Sequence, residues 1–140
     1  MIIPAINYLA VALATISTMV VGFIWYTPKV FGNYWMKTAK VDPNQGSAVG
    51  PILVTLFVSF ISAWVLAAAT TVTHAFQGGS YLGAAFIAAI VLWAGFTAAR
   101  FITHDALERR PSGLTILNIA HALVTVLVMA LIIGLLPPAV

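Results

Sequence analysis

Charge is what this sequence has least of. Among its 140 residues six are basic and three acidic, 6% in all, while 62% are hydrophobic. A water-soluble domain carries about 25% charged residues to dress its surface, so water is excluded as the main solvent and one domain embedded in hydrocarbon is expected. Cysteine is missing altogether, which excludes disulfides, thiolate metal sites and cysteine nucleophiles. The three acids, Asp42, Asp105 and Glu108, all fall outside the apolar stretches. With no carboxylate pair inside the membrane, acid–base catalysis and proton-coupled drug export both lack their usual groups. No G-x-S-x-G, H-E-x-x-H or phosphate-cradling glycine loop occurs either, so neither an enzyme nor a cofactor is expected. The histidines, His74, His104 and His121, lack the close helical spacing of a metal site, and no metal is expected. A net charge of +3 in two short clusters offers no face broad enough to neutralise several phosphates, which argues against nucleic acid as a partner.

Long apolar runs are what the chain does have. Four of them, at about 4–26, 51–76, 81–102 and 114–136, each carry roughly the 20 residues that cross a 30 Å hydrocarbon core as an α-helix. The fold class that follows is all-α, an integral membrane bundle of four transmembrane helices. The first run lacks the basic leader of a signal peptide and is longer than its usual apolar region, so it counts as a helix. Lys29, Lys37 and Lys40 lie between the first two runs, and Arg100, Arg109 and Arg110 cluster between the last two. The other connection, Gln77-Gly78-Gly79-Ser80, carries no charge. All six cations thus share one side, which predicts cytoplasmic basic loops, outside termini and residence in the cell's inner membrane.

The segment after the first run has a pattern of its own. Thr27 before Pro28 reads as a helix cap followed by a proline at the first helical position. Lys29, Asn33, Lys37 and Lys40 then share one face, and Val30, Phe31, Tyr34 and Trp35 another. This predicts a short amphipathic interfacial helix, lysines toward anionic headgroups and aromatics toward the acyl boundary, broken by the run 42–47. In the third run Ala84, Ala85, Ala88, Ala89, Gly95 and Ala99 form a small-residue stripe that lets backbones approach closely, either centrally or at a subunit interface. That helix is expected to continue to Arg110, with Asp105 four residues before Arg109. A Gly-Phe pair near the inner end of runs one and three, Gly22-Phe23 and Gly95-Phe96, is a short internal echo that a parallel repeat of two hairpins would produce.

Few residues can carry chemistry. Asn118, His121 and Thr125, at i, i+3 and i+7, project from one face of the fourth run. An intramembrane histidine is costly against lipid and belongs toward the bundle, a partner helix or water, where it relays a proton or binds a solute. The alternative is packing specificity, with Asn118 and His121 bonding across to Thr55, Ser59 or Ser62. Arg100, His104 and Glu108 share a face and form either an anion site beneath His121 or an ordinary interfacial charge cluster. His74, behind Thr70, Thr71 and Thr73, reads as a solvated interfacial side chain.

The string Trp25-Tyr26-Thr27-Pro28-Lys29-Val30-Phe31-Gly32-Asn33-Tyr34-Trp35-Met36 resembles the W-Y-x-P-x-x-F-G-x-x-W-M signature of the family known as domain of unknown function 1761. Gly95-Phe96, Leu107-Glu108-Arg109, Asn118 and His121 follow in matching order and spacing. The resemblance implies a small bacterial-type four-helix membrane protein and carries no reaction with it. Two functions stay open: a binding or passage module for a small solute, ion or lipid, or a non-transporting accessory protein that docks a membrane-protein partner through Trp25 to Trp35. A homo-oligomer is expected in either case, because a lone bundle of four spans has little interior for its polar residues.

Overall fold

The computed structural model describes residues 3–42, 44 and 46–139. It contains α1 (Tyr8–Trp25), α2 (Gly32–Ala39), α3 (Val49–Gln77), α4 (Tyr81–Leu92), a π-helical turn (Trp93–Ala98), α5 (Ala99–Leu107) and α6 (Ser112–Leu135), with no strand among the described residues. Helices α1, α3 and α6, and the continuous rod Tyr81–Leu107, are long and apolar enough to cross a membrane. The chain is an all-α membrane protein.

Local chemistry sets where the helices begin and end. The Asn7 side chain accepts from the Leu9 amide at 3.1 Å and starts α1; Ser80 accepts from Gly83 at 3.0 Å and starts α4. Between α3 and α4 the chain reverses through Gly78 and Gly79 at φ of 72° and 76°, backbone that side chains other than glycine adopt at a cost. At the corner between α5 and α6, Arg109 takes φ of 57°, and Pro111 stands at the cap position of α6. The rod therefore ends at Leu107, a few residues short of Arg110.

Each long helix packs beside two others in the cyclic order α1, α3, α4, α6. Short connections join α3 to α4 and α5 to α6, and these neighbours run antiparallel. The core between them is built mostly of alanine: Ala10, Ala14, Ala63, Ala67, Ala85, Ala88, Ala89 and Ala130 are buried, with Val11, Leu66, Met129 and Ile133 filling the gaps. Small side chains bring the backbones close, and dispersion between close backbones is the main attraction available where lipid and leucine are equally apolar. Gly134 marks a close approach of α6 to α4; a Cβ there would lie 2.8 Å from the Leu82 Cα. The end away from the basic loops is pinned by polar bonds. Asn7 donates to the Leu136 carbonyl at 3.2 Å, and the Thr71 hydroxyl donates to Ala5 O at 2.7 Å while lying 2.9 Å from the Tyr81 hydroxyl. His74 lies 3.1 Å from Gly79 O and edge-on to Tyr81, so it belongs to this knot rather than to bulk solvent.

Two expectations need correction. The amphipathic helix begins at Gly32, not at Pro28, and Phe31, not Thr27, stands at its cap position. Thr27 instead turns the chain: its hydroxyl donates to Ile24 O at 3.0 Å, and its carbonyl accepts from Val30 at 3.0 Å and Gly32 at 2.7 Å. Lys40 ends α2 at φ of 57°; of the breaker run 42–47, Pro43 and Gln45 lie outside the described residues. The small-residue stripe also stops early. Ala84, Ala85, Ala88 and Ala89 are buried, but Gly95, inside the π turn, and Ala99, just after it, are exposed. A π turn holds one extra residue, which rotates everything after it by about 100° relative to an uninterrupted α-helix.

Candidate functional site

Helix α3 is buried along only half its length. Ala63, Leu66, Ala67 and Thr70 face the core, whereas residues 49–62 are exposed at every position except the half-buried Ser59. That half of α3 stands off from α1 and α6, and the gap is an open cavity of about 620 Å³. Helix α1 contributes Thr18, Met19, Gly22 and Phe23, and Tyr26 follows at its end; α6 contributes His121 and Thr125; α3 contributes Pro51, Ile52, Thr55 and Ser59. Trp35 of α2 and the loop residues Val41, Asp42, Gly46, Ser47 and Ala48 complete the wall at the basic end.

His121 is the best-positioned polar group in it. Gly22 lies opposite, where a Cβ would come 3.9 Å from His121 Nε2, so the absent side chain leaves the imidazole edge open on that side. The Thr125 hydroxyl donates to the His121 carbonyl at 2.8 Å and sits 3.4 Å from Nε2. Tyr26 packs its ring 4.9 Å from the imidazole and 4.8 Å from the Trp35 indole, both tilted, which builds an aromatic stack at the mouth. Its hydroxyl donates to Asn118 Oδ1 at 3.0 Å. Asn118 therefore fixes Tyr26 from one turn before His121, and neither residue bonds to Thr55, Ser59 or Ser62; Thr55 and Ser59 meet His121 only across the cavity.

Arg100 lies elsewhere. It is exposed on α5, outside the cavity wall, and makes no side-chain hydrogen bond or ion pair among the described residues. Its expected neighbours form a separate cluster at the α5–α6 corner. His104 lies 3.1 Å from both Asp105 and Glu108, Arg110 pairs with Glu108 at 2.8 Å, and the Thr115 hydroxyl donates to Asp105 at 2.7 Å. Arg110, not Arg109, is the partner of Asp105, at 4.0 Å, because the left-handed turn at Arg109 redirects the chain. Asp105 lies beyond the apolar part of its span, yet is only 3% exposed. The Thr115 hydroxyl and the His104 ring each bond one of its two oxygens, so the buried carboxylate is not left unpaired.

The interfacial candidates divide by chemistry. Lys29, Lys37 and Lys40 are exposed, as a headgroup-facing set must be. The aromatics instead hold α2 to the bundle: Phe31 packs 4.7 Å from Trp25, Trp35 covers Tyr26, and the Tyr34 hydroxyl abuts Gly113 at the start of α6. Trp25, Phe31, Tyr34, Gly113, Ile116, Leu117 and Ala120 line a second, apolar cavity of about 510 Å³, and the buried Trp25 Nε1 has no hydrogen-bond partner. No group of three metal-ligating side chains occurs among the described residues.

The string from Trp25 to Met36 thus does one structural job, folding α2 back over the mouth of the His121 cavity. That string and the rest of the chain from residue 9 to residue 134 match the sequence profile of the proteins of unknown function DUF1761. The chain belongs to this family. No curated protein and no solved structure matches it. Family membership leaves the activity open, so what the cavity does has to be argued from its walls. Helical spacing along the fourth span points to His121 and Thr125, and both line the cavity; it does not point to Gly22, Tyr26 or Asp42, which line it as well. Gly22 and Thr18 share the small polar face of the first span, a signal pointing to the cavity; Asp42 gave none, being one acid in an irregular loop.

Proposed function

We propose that this protein is a membrane-embedded binding module for a small solute, ion or lipid, entered from the basic end, with the basic loops on the cytoplasmic side of the inner membrane. The observation that carries this reading is the cavity itself: about 620 Å³ reaching a histidine inside the membrane, within the range of small-molecule sites. The His121 imidazole faces this gap with the Thr125 hydroxyl, at 3.4 Å, as its polar side-chain neighbour, an expensive arrangement in hydrocarbon unless something polar enters. The gap closes toward the other end, where Val11, Ala14, Leu66 and Ala67 are fully packed, so this conformation favours binding over an open pore. Passage would require α3 to change its angle. The exposed lysines Lys29, Lys37 and Lys40 supply attraction to anionic headgroups around the entrance. Arg100, exposed on α5, takes no part.

His121→Leu is the test, with assembly followed by size-exclusion chromatography in detergent. Loss of solute binding or flux with an unchanged elution profile is the expected result. If His121→Leu is silent while disrupting Phe31, Tyr34 and Trp35 releases a co-purifying membrane protein, the accessory role replaces this reading. Phe31 and Tyr34, 39% and 48% exposed, are the surface such a partner would use.

A further inference from the structure

The composition of the cavity wall goes further than its size. Its one formal charge is the Asp42 carboxylate at the mouth; none of the six basic residues lines it. The tilted rings of Tyr26 and Trp35, the Phe23 ring and the His121 imidazole line the same cavity. Hydroxyls from Thr18, Ser47, Thr55, Ser59 and Thr125 add to the polar lining. Aromatic faces carry negative potential and attract cations, more strongly where water is excluded. Calcium and magnesium take six or more oxygen ligands, and a single carboxylate with hydroxyls spread over three helices and a loop does not gather them. A cation that brings its own apolar shell needs only one counter-charge and aromatic walls.

Resting on the binding-module reading above, we infer that the solute is an organic monocation, a quaternary or substituted ammonium, whose charged head sits between Asp42 and the Tyr26–Trp35 stack and whose apolar part reaches toward His121. The cation comes either free from the aqueous side or as the headgroup of a choline lipid. In both cases the chemistry recognised is the same.

The experiment uses the full chain in nanodiscs of phosphatidylglycerol at pH 8, above the ordinary titration range of imidazole. Binding of benzyltrimethylammonium, phenylmethanesulfonate and benzyl alcohol is compared by calorimetry, with empty discs subtracted. The cation binds at least tenfold more tightly than the anion or the alcohol. Asp42→Asn, on an exposed loop where folding is not at risk, weakens it about tenfold, and Tyr26→Leu weakens it severalfold while Tyr26→Phe keeps it, since the ring face and not the hydroxyl makes the contact. Competition by added phosphatidylcholine assigns the headgroup as source; absence of competition assigns the free cation. Equal binding of all three probes, indifference to Asp42→Asn, or no cation binding at millimolar concentration overturns the inference. Anion or alcohol binding that His121→Leu abolishes would overturn it while leaving the module reading intact; probe binding that ignores His121→Leu would remove both.

Discussion

Gly32→Ala is the substitution whose outcome the backbone constrains most. A Cβ on residue 32 would sit 2.6 Å from the Thr27 carbonyl carbon and 2.7 Å from its oxygen, and closer still to Tyr26 O. Ordinary contacts begin near 3.4 Å, so the α1–α2 turn must open by at least about 0.8 Å. The neighbours are backbone atoms and have no rotamer to escape into. Overpacking of this kind costs about 1–3 kcal/mol, and losing the 2.7 Å bond from the Gly32 amide to Thr27 O adds about 1 kcal/mol. Alanine returns up to about 1 kcal/mol through its better helix propensity, which leaves a net loss of about 1–3 kcal/mol. The loss is local: α2 should detach, withdrawing Trp35 from Tyr26 and uncovering the cavity mouth, while α1, α3, α4 and α6 stay assembled. Hydrogen exchange in detergent should show faster exchange confined to Gly32–Ala39 together with a red-shifted tryptophan emission. Unchanged α2 protection with undiminished thermal stability would refute the reasoning.

Three further outcomes follow from other places in the fold. Gly134→Ala sets a methyl 2.8 Å from the Leu82 Cα and should lower stability by about 1–3 kcal/mol, whereas Gly95→Ala, with nothing within 4 Å, should be neutral; both are read by thermal unfolding, and equal effects would undo the packing argument. Asp105→Ala removes the acceptor of the 2.7 Å bond from Thr115 that ties α5 to α6, and should lower stability by about 1–3 kcal/mol with faster hydrogen exchange confined to the α5–α6 corner; unchanged exchange there would count against the bond's role. Asn7→Ala removes both the α1 cap and the bond to Leu136, for an expected loss of about 1–2 kcal/mol in the same unfolding assay; a loss below a few tenths would mean the cap is dispensable.

The spans were legible because apolar length is a one-dimensional property, and the shared side of the six cations follows once neighbouring helices alternate in direction. His121, Asn118 and Thr125 were legible as one face for the same reason, since helical spacing alone brings them together. Two things escaped that logic. The π turn at Trp93–Ala98 shifts the phase of all that follows, and no periodicity of the sequence announces it; it is held in part from across the bundle, where the Trp93 indole donates to Ile119 O at 2.9 Å. The turn at Thr27 escaped as well. Thr-Pro is a sound helix opening by local rules, but here the Thr27 carbonyl is already taken by Val30 and Gly32, so the chain winds tightly before α2 can start. Asp42 joined the cavity wall only through the tertiary position of its loop.

Helix α3 has 29 residues, about 43 Å at 1.5 Å per residue, against a hydrocarbon layer of about 30 Å. A rod that long accommodates itself by tilting, and its angle follows the thickness of the surrounding lipid. Only its far half is anchored to the other helices, so the near half acts as a lever pivoting around Ala63. Because one wall of the cavity is that free half, a change in lipid chain length should change how wide the cavity stands.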